Sequence, residues 1–269
     1  MKEFLAFIIG ACFGSFANVV IYRLPRNKSI IFPGSFCPKC RHSIKWYDNI
    51  PVLSYILLRG KCRYCKKTIS IRYPVVELIM GFISLMLYEK FLAHGLFCPF
   101  LFYFIFALGL VIISGIDFET FLVPDIIVLP LIPLGMVGAF LCQNFFFSKT
   151  SAETFIAISR LLYSFSGALT GGLIVALLAI TGKIIYKKEA MGGGDLKLLA
   201  AIGAFLGWRG VFLSIFFGSI IGTIISLALI YSKKKKWDDY VPFGPYLAAG
   251  AIIAILYKGS YFLSLYFIP

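Results

Sequence analysis

Apolar stretches of about 20 residues recur along this chain, each long enough to cross the roughly 30 Å hydrocarbon layer of a bilayer as a helix. No other feature of the sequence limits the fold as strongly. Eight spans are read from the 269 residues: 3–22, 74–92, 98–116, 123–143, 160–182, 196–208, 210–231 and 243–266. The sixth is short, and a tight turn is expected at Trp208-Arg209-Gly210 before the seventh. Charged residues make up only 14% of the chain, against about 25% in an average soluble domain. The expected class is an all-α polytopic membrane protein with about eight transmembrane helices, in contact with membrane lipid.

The formal net charge of +14 would suggest nucleic acid as the partner of a soluble protein. Here the cations gather in short segments between spans, as expected of loops at an anionic membrane face, and no nucleic-acid partner is expected. Segments 23–73, 183–197 and 232–239 hold 12, 4 and 4 of the 26 Lys and Arg residues. That asymmetry orients the chain with its N-terminus outside and these three segments in the cytoplasm. The first apolar run ends at Arg23 and Arg26 rather than at a small-residue cleavage site, so it is expected to stay as an anchor.

Three divisions follow: a first helix at 1–23, a cytoplasmic insert at 24–73, and a membrane portion at 74–269 with seven further helices. The insert has too little apolar material for a core of its own, and segments this small need a staple. It contains Cys37-Pro38-Lys39-Cys40 and, 21 residues later, Cys62-Arg63-Tyr64-Cys65. Two C-x2-C turns can offer four thiolates to one tetrahedral ion, with zinc the expected metal and a structural role, since four sulfurs leave no open position. Two disulfides are the competing reading, disfavoured in a reducing cytoplasm. No internal repeat is evident. Cys98 and Cys142, at the outer ends of neighbouring spans, are expected to pack as apolar thiols, with a disulfide as the alternative.

With two histidines, His42 and His94, far apart in the chain, no Ser-His-Asp triad and no HExxH zinc site can be assembled. Carboxylates remain. Acids beside lipid are costly, and several of the 12 acidic residues fall at the cytoplasmic ends of spans. Asp125, after Pro124, reads as an ordinary helix-opening residue. Asp117 does not, because it closes a span at a helix C-terminus, where negative charge is disfavoured. Asp195 follows Gly192-Gly193-Gly194, which permits close backbone approach, and precedes Lys197. Two carboxylates brought together can share one proton and activate a water, the arrangement of aspartic proteases. A proton-coupled transporter with Asp117 and Asp195 on the ion path is the alternative.

The ordered motifs narrow the choice. Gly14-Ser15-Phe16-Ala17-Asn18-Val19-Val20-Ile21-Tyr22-Arg23-Leu24-Pro25, the two cysteine pairs flanking Asn49-Ile50-Pro51-Val52, and Arg72-Tyr73-Pro74-Val75-Val76-Glu77 resemble the N-terminal part of bacterial prepilin peptidases. Ile116-Asp117 with Pro124-Asp125, Met191-Gly192-Gly193-Gly194-Asp195-Leu196-Lys197, and Pro242-Phe243-Gly244-Pro245-Tyr246 resemble the rest of that family. Val123 stands where Leu or Ile is usual. The resemblance implies a GxGD membrane aspartic endopeptidase with Asp117 and Asp195 as the catalytic pair, supported by Gly192, Gly193, Gly194 and Lys197. It implies prepilin or pseudopilin substrates of type IV pilus or type II secretion systems, cut after a basic leader at the cytoplasmic face. It also implies N-methylation of the new N-terminus from S-adenosylmethionine, whose binding residues are unknown. Glu119, Asp125 and Glu189, in a rim shared with Asp238 and Asp239, are expected to dock the basic leader, and the backbone around Phe243-Gly244 is a candidate for pairing with extended substrate.

Overall fold

The computed structural model describes residues 1–144, 151–186, 192–233 and 241–257, whose regular structure is helical, with two isolated β-bridges and no strand among them. The α-helices are α1 (Lys2–Arg23), α2 (Leu53–Leu57), α3 (Arg72–Lys90), α4 (Phe97–Thr120), α5 (Asp125–Asn144), α6 (Ser151–Tyr186), α7 (Gly193–Tyr231) and α8 (Gly244–Leu256). Five of them, α1, α4, α5, α6 and α7, are long and apolar enough to cross a membrane. α3 coincides with the second expected span but carries Arg72, Glu77, Glu89 and Lys90. The expected eighth span extends beyond Tyr257, outside the described residues.

α7 accounts for two expected spans. At 39 residues it would run to about 58 Å if straight, nearly twice a bilayer core. It is interrupted at Gly207, with φ 67° and ψ −178°, a backbone only glycine adopts cheaply. A Cβ there would also overlap the Tyr163 ring. Leu198 and Gly222, on either side of this break, lie against Gly244 and Tyr246 near the start of α8. The chain therefore doubles back, and the reversal falls at Gly207 rather than at 208–210.

The chain divides into two compact units, Met1–Gly95 and Leu96–Pro269. The first helix, the insert and the second expected span fall in the first unit, and small residues hold them there. Ala6, Gly10, Gly14 and Asn18 recur every fourth position on the buried face of α1. A Cβ at Gly14 would lie 2.7 Å from the Glu77 Cα, and one at Gly10 would run into Ser84. Such close backbone contact is how helices associate in lipid, where apolar burial gives no drive. Ser84 Oγ donates to the Ala6 carbonyl at 2.7 Å, and Asn18 Nδ2 to that of Tyr73 at 3.0 Å. α3 is thereby joined to α1, with the insert between them.

The insert is tied down by Glu77. This buried carboxylate accepts the Val52 backbone N–H at 2.7 Å, which fixes Val52 at φ 62°, an unusual conformation for a β-branched residue.

In the second unit α7 is central, packing on α5, α6 and α8. Gly167 and Gly203 bring α6 and α7 into backbone contact, and Ser164 Oγ donates across to the Ala204 carbonyl at 2.6 Å. Cys98 and Cys142 are free thiols within hydrogen-bonding reach of each other.

Candidate active site and cysteine module

The four cysteine sulfurs of the insert lie within 4.8 Å of one another. Cys37 and Cys65 Sγ are 4.0 Å apart, as are Cys40 and Cys62 Sγ. Four sulfurs at about 2.3 Å from a central ion stand about 3.8 Å apart in a tetrahedron, so the cluster has the dimensions of a metal site and not of two disulfides.

The two halves are copies of one another, a repeat that sequence reading overlooked. The Cys37 N–H donates to the His42 carbonyl and the Cys62 N–H to that of Lys67, both at 2.9 Å. Arg41 and Lys66 take left-handed φ values of 58° and 57°. Bridges join Phe36 to Ser43 and Lys61 to Thr68. Each pair of equivalent residues is 25 positions apart, from Cys37 and Cys62 to Ile44 and Ile69. The signal was there to read: C-x2-C, a cation, one residue, a hydroxyl residue and Ile, twice.

The halves are held together by contacts outside the cluster. The His42 ring lies on that of Tyr64 with centroids 3.6 Å apart, and Arg63 grips Asp48 through two bonds of 2.7 and 2.6 Å. Arg63 holds the Asp48 carboxyl below its ordinary range. The backbone N–H of Cys65, helped by that of Tyr64, pulls the Cys62 thiol down to about 7 despite its burial.

The aspartates lie in the second unit. Asp117 falls in the last turn of α4, which Phe121 closes in a left-handed conformation by donating its N–H to the Asp117 carbonyl at 2.9 Å. Asp195 enters the first turn of α7, its N–H bonded to the Gly192 carbonyl at 3.1 Å. The side chains are 5% and 8% exposed and within electrostatic range of each other. Among the described residues neither pairs with a cation.

A third helix end completes the group. The Gly244 backbone N–H is hydrogen-bonded to the Asp117 carboxylate, and a Cβ on Gly244 would lie 2.6 Å from Asp117 Oδ2. The N-terminus of α8 thus offsets the penalty of a carboxylate at the C-terminus of α4. Sequence reading missed this role, although a glycine between Phe243 and Pro245, after Pro242, was the one residue there with neither side chain nor ring.

The supporting residues separate. Gly194 packs on Val123, where a Cβ would come within 2.8 Å of the Val123 Cβ, whereas Gly193 has open space around it and Gly192 nearly so. The close approach therefore belongs to one glycine of the three, and Val123 supplies its partner surface. Gly192 serves Asp195 through its backbone. Lys197 Nζ grips both oxygens of Asp125 at 2.7 and 2.8 Å, joining the starts of α5 and α7 beside the aspartates. The Asp125 carboxylate is therefore engaged within the molecule. Glu119 is exposed near the end of α4, while Glu189, Asp238 and Asp239 lie outside the described residues.

A buried acid pair at converging helix ends, with a separate four-cysteine module, is an arrangement that a membrane aspartic peptidase can use. A family model described as Type IV leader peptidase family matches residues 104–227, and one described as Bacterial Peptidase A24 N-terminal domain matches residues 8–91. The chain is 34% identical to a prepilin leader peptidase/N-methyltransferase of Stutzerimonas stutzeri, covering 94% of this chain and 89% of that protein. Proteins of the same name from Pseudomonas aeruginosa and Burkholderia pseudomallei are 33% and 31% identical, over 93% and 98% of this chain and 88% of each relative. No solved structure matches. The chain belongs to the type IV leader peptidase family. The two family models fall in the two compact units, and nothing among these relatives supports a transporter.

Proposed function

We propose that this protein removes the short basic leader from type IV prepilins or pseudopilins, with Asp117 and Asp195 as the catalytic pair, and N-methylates the new N-terminus. The observation that carries the reading is the pair itself, two buried carboxyls from separate helices that pair with no cation among the described residues. Burying such a pair costs folding free energy, and a shared proton lowers that cost. One carboxylate takes a proton from a water as its oxygen attacks the scissile carbonyl, while the partner carboxylic acid protonates the carbonyl oxygen. Collapse of the tetrahedral intermediate then passes a proton to the leaving amine. Gly244 N–H and Gly192 hold the two side chains in place during these steps.

The four cysteines hold zinc in a closed structural site that braces the insert. The methyl donor is S-adenosylmethionine. The protein sits in the bacterial inner membrane with its N-terminus outside and the insert and aspartates on the cytoplasmic side, a reading supported by the 20 of 26 cations in segments 23–73, 183–197 and 232–239. Glu119 and Glu189 attract the basic leader. Asp125 contributes through its hold on Lys197.

Leader removal from a membrane-embedded prepilin, compared between wild type, Asp117→Asn and Asp195→Asn, tests the catalytic pair. The expected result is a loss of roughly a thousandfold or more in each variant, with metal content unchanged. Cleavage within tenfold of wild type in either would reject it.

A further inference from the structure

Arg23 in the first unit is a buried cation that no carboxylate pairs with among the described residues, and its surroundings describe a partner for it. Arg23 closes α1 with its side chain only 5% exposed. Its guanidinium donates to the carbonyls of Ser29 at 3.1 Å and Gly34 at 2.9 Å, and lies 5.6 Å from the centre of the Phe36 ring. These partners are neutral, and no carboxylate among the described residues pairs with it. A guanidinium has five N–H donors, and a buried charge without a counter-ion is costly.

Arg23 lines a cleft of about 280 Å³. Phe16 and Val19 of α1, Ile30 and Ile31 of the following segment, and Asn49 line it too. The lining therefore combines a cation and the polar Ser15, Ser35 and Asn49 with an apolar part formed by Phe16, Val19, Ile30 and Ile31. Phe16 is 46% exposed, so the apolar part opens to the surroundings of a membrane-spanning helix. The segment that follows carries Arg26 and Lys28 against the Tyr22 ring at 4.4 and 5.6 Å. It then presents Ile31 and Phe32, 71% and 77% exposed. Bulky apolar side chains beside cations at the end of a span are suited to the bilayer interface, where phosphate groups lie directly above acyl chains.

We propose that this cleft binds an anionic phospholipid, its phosphate on Arg23 and an acyl chain along Phe16 and Val19, while Ile31 and Phe32 anchor the loop in the interface. Charge complementarity selects the headgroup and the apolar part selects a lipid over a soluble anion. The site lies in the first unit and needs nothing from Asp117 or Asp195.

Native mass spectrometry of the delipidated, metal-loaded full-length protein tests this with phosphatidylglycerol and phosphatidylcholine of identical acyl chains. Wild type should retain phosphatidylglycerol at least about tenfold better, as expected for a charge-assisted contact. Arg23→Gln removes the charge, and Val19→Trp fills the cleft while leaving Arg23 in place. Either variant that keeps its metal and helical content should lose the preference, so Val19→Trp decides the matter if Arg23→Gln fails to fold. Equal retention of the two lipids by wild type, or an undiminished preference in a folded Val19→Trp, would overturn the proposal. Displacement of the lipid by millimolar inorganic phosphate would overturn it too, by indicating a free-anion site.

Discussion

The cysteine module and the aspartate site are built in opposite ways. Each half of the module is assembled within eight consecutive residues, by hydrogen bonds between near neighbours, and the same design is used twice at an interval of 25. The aspartate site draws on Asp117, Asp195 and Gly244, which converge only because α4, α7 and α8 pack together. Local construction makes the first depend on near neighbours in the chain and on the proposed metal. Long-range construction makes the second depend on where helix ends stop.

That contrast can be tested at graded cost. The largest stability effect is expected from the module, because structural zinc contributes on the order of 10 kcal/mol to small domains. Chelation, or Cys37→Ser combined with Cys62→Ser, should leave residues 24–73 open to limited proteolysis while the membrane helices keep their circular dichroism. An insert that resisted protease without metal would show that the bonds around each turn suffice. Next is Gly244→Ala. A methyl group 2.6 Å from Asp117 Oδ2 must displace the carboxylate or the start of α8. Losing a hydrogen bond to a charged group costs roughly 1.5–3 kcal/mol, so kcat should fall about 10- to 100-fold with metal content intact. Wild-type turnover would mean that α8 is not part of the site. The smallest effect is expected at the Lys197–Asp125 pair, whose side chains are 37% and 56% exposed. Such pairs are worth under about 1 kcal/mol. Lys197→Met should therefore cost less than about fivefold, and exchanging the two residues should restore most of it. A hundredfold loss that the exchange did not repair would give Lys197 a role beyond this pair.

The same contrast explains what could be read in the sequence. The apolar helices followed from apolar length, and the four-cysteine cluster from C-x2-C spacing, because both are local properties. Asp117 stood out because a carboxylate at a helix C-terminus lacks a local justification, but its partner at Gly244 depends on which helix ends meet, and no local pattern encodes that. Two signals were present and unread. The Ala6, Gly10, Gly14 and Asn18 stripe marks the face of α1 that receives α3, and the 25-residue echo around the cysteines marks the duplicated turn. Lys197 and Asp125, each ordinary on its own helix, acquire a role only when the starts of α5 and α7 come together.

The central claim is that Asp117 and Asp195 act as one unit, and non-additivity measures that most directly. Leader removal should be followed for Asp117→Asn, Asp195→Asn and the double variant on one prepilin substrate. If the carboxylates share one proton and one water, the double variant should be no slower than the more damaged single, because the unit is lost once. Losses that multiply in the double variant would contradict a shared catalytic centre.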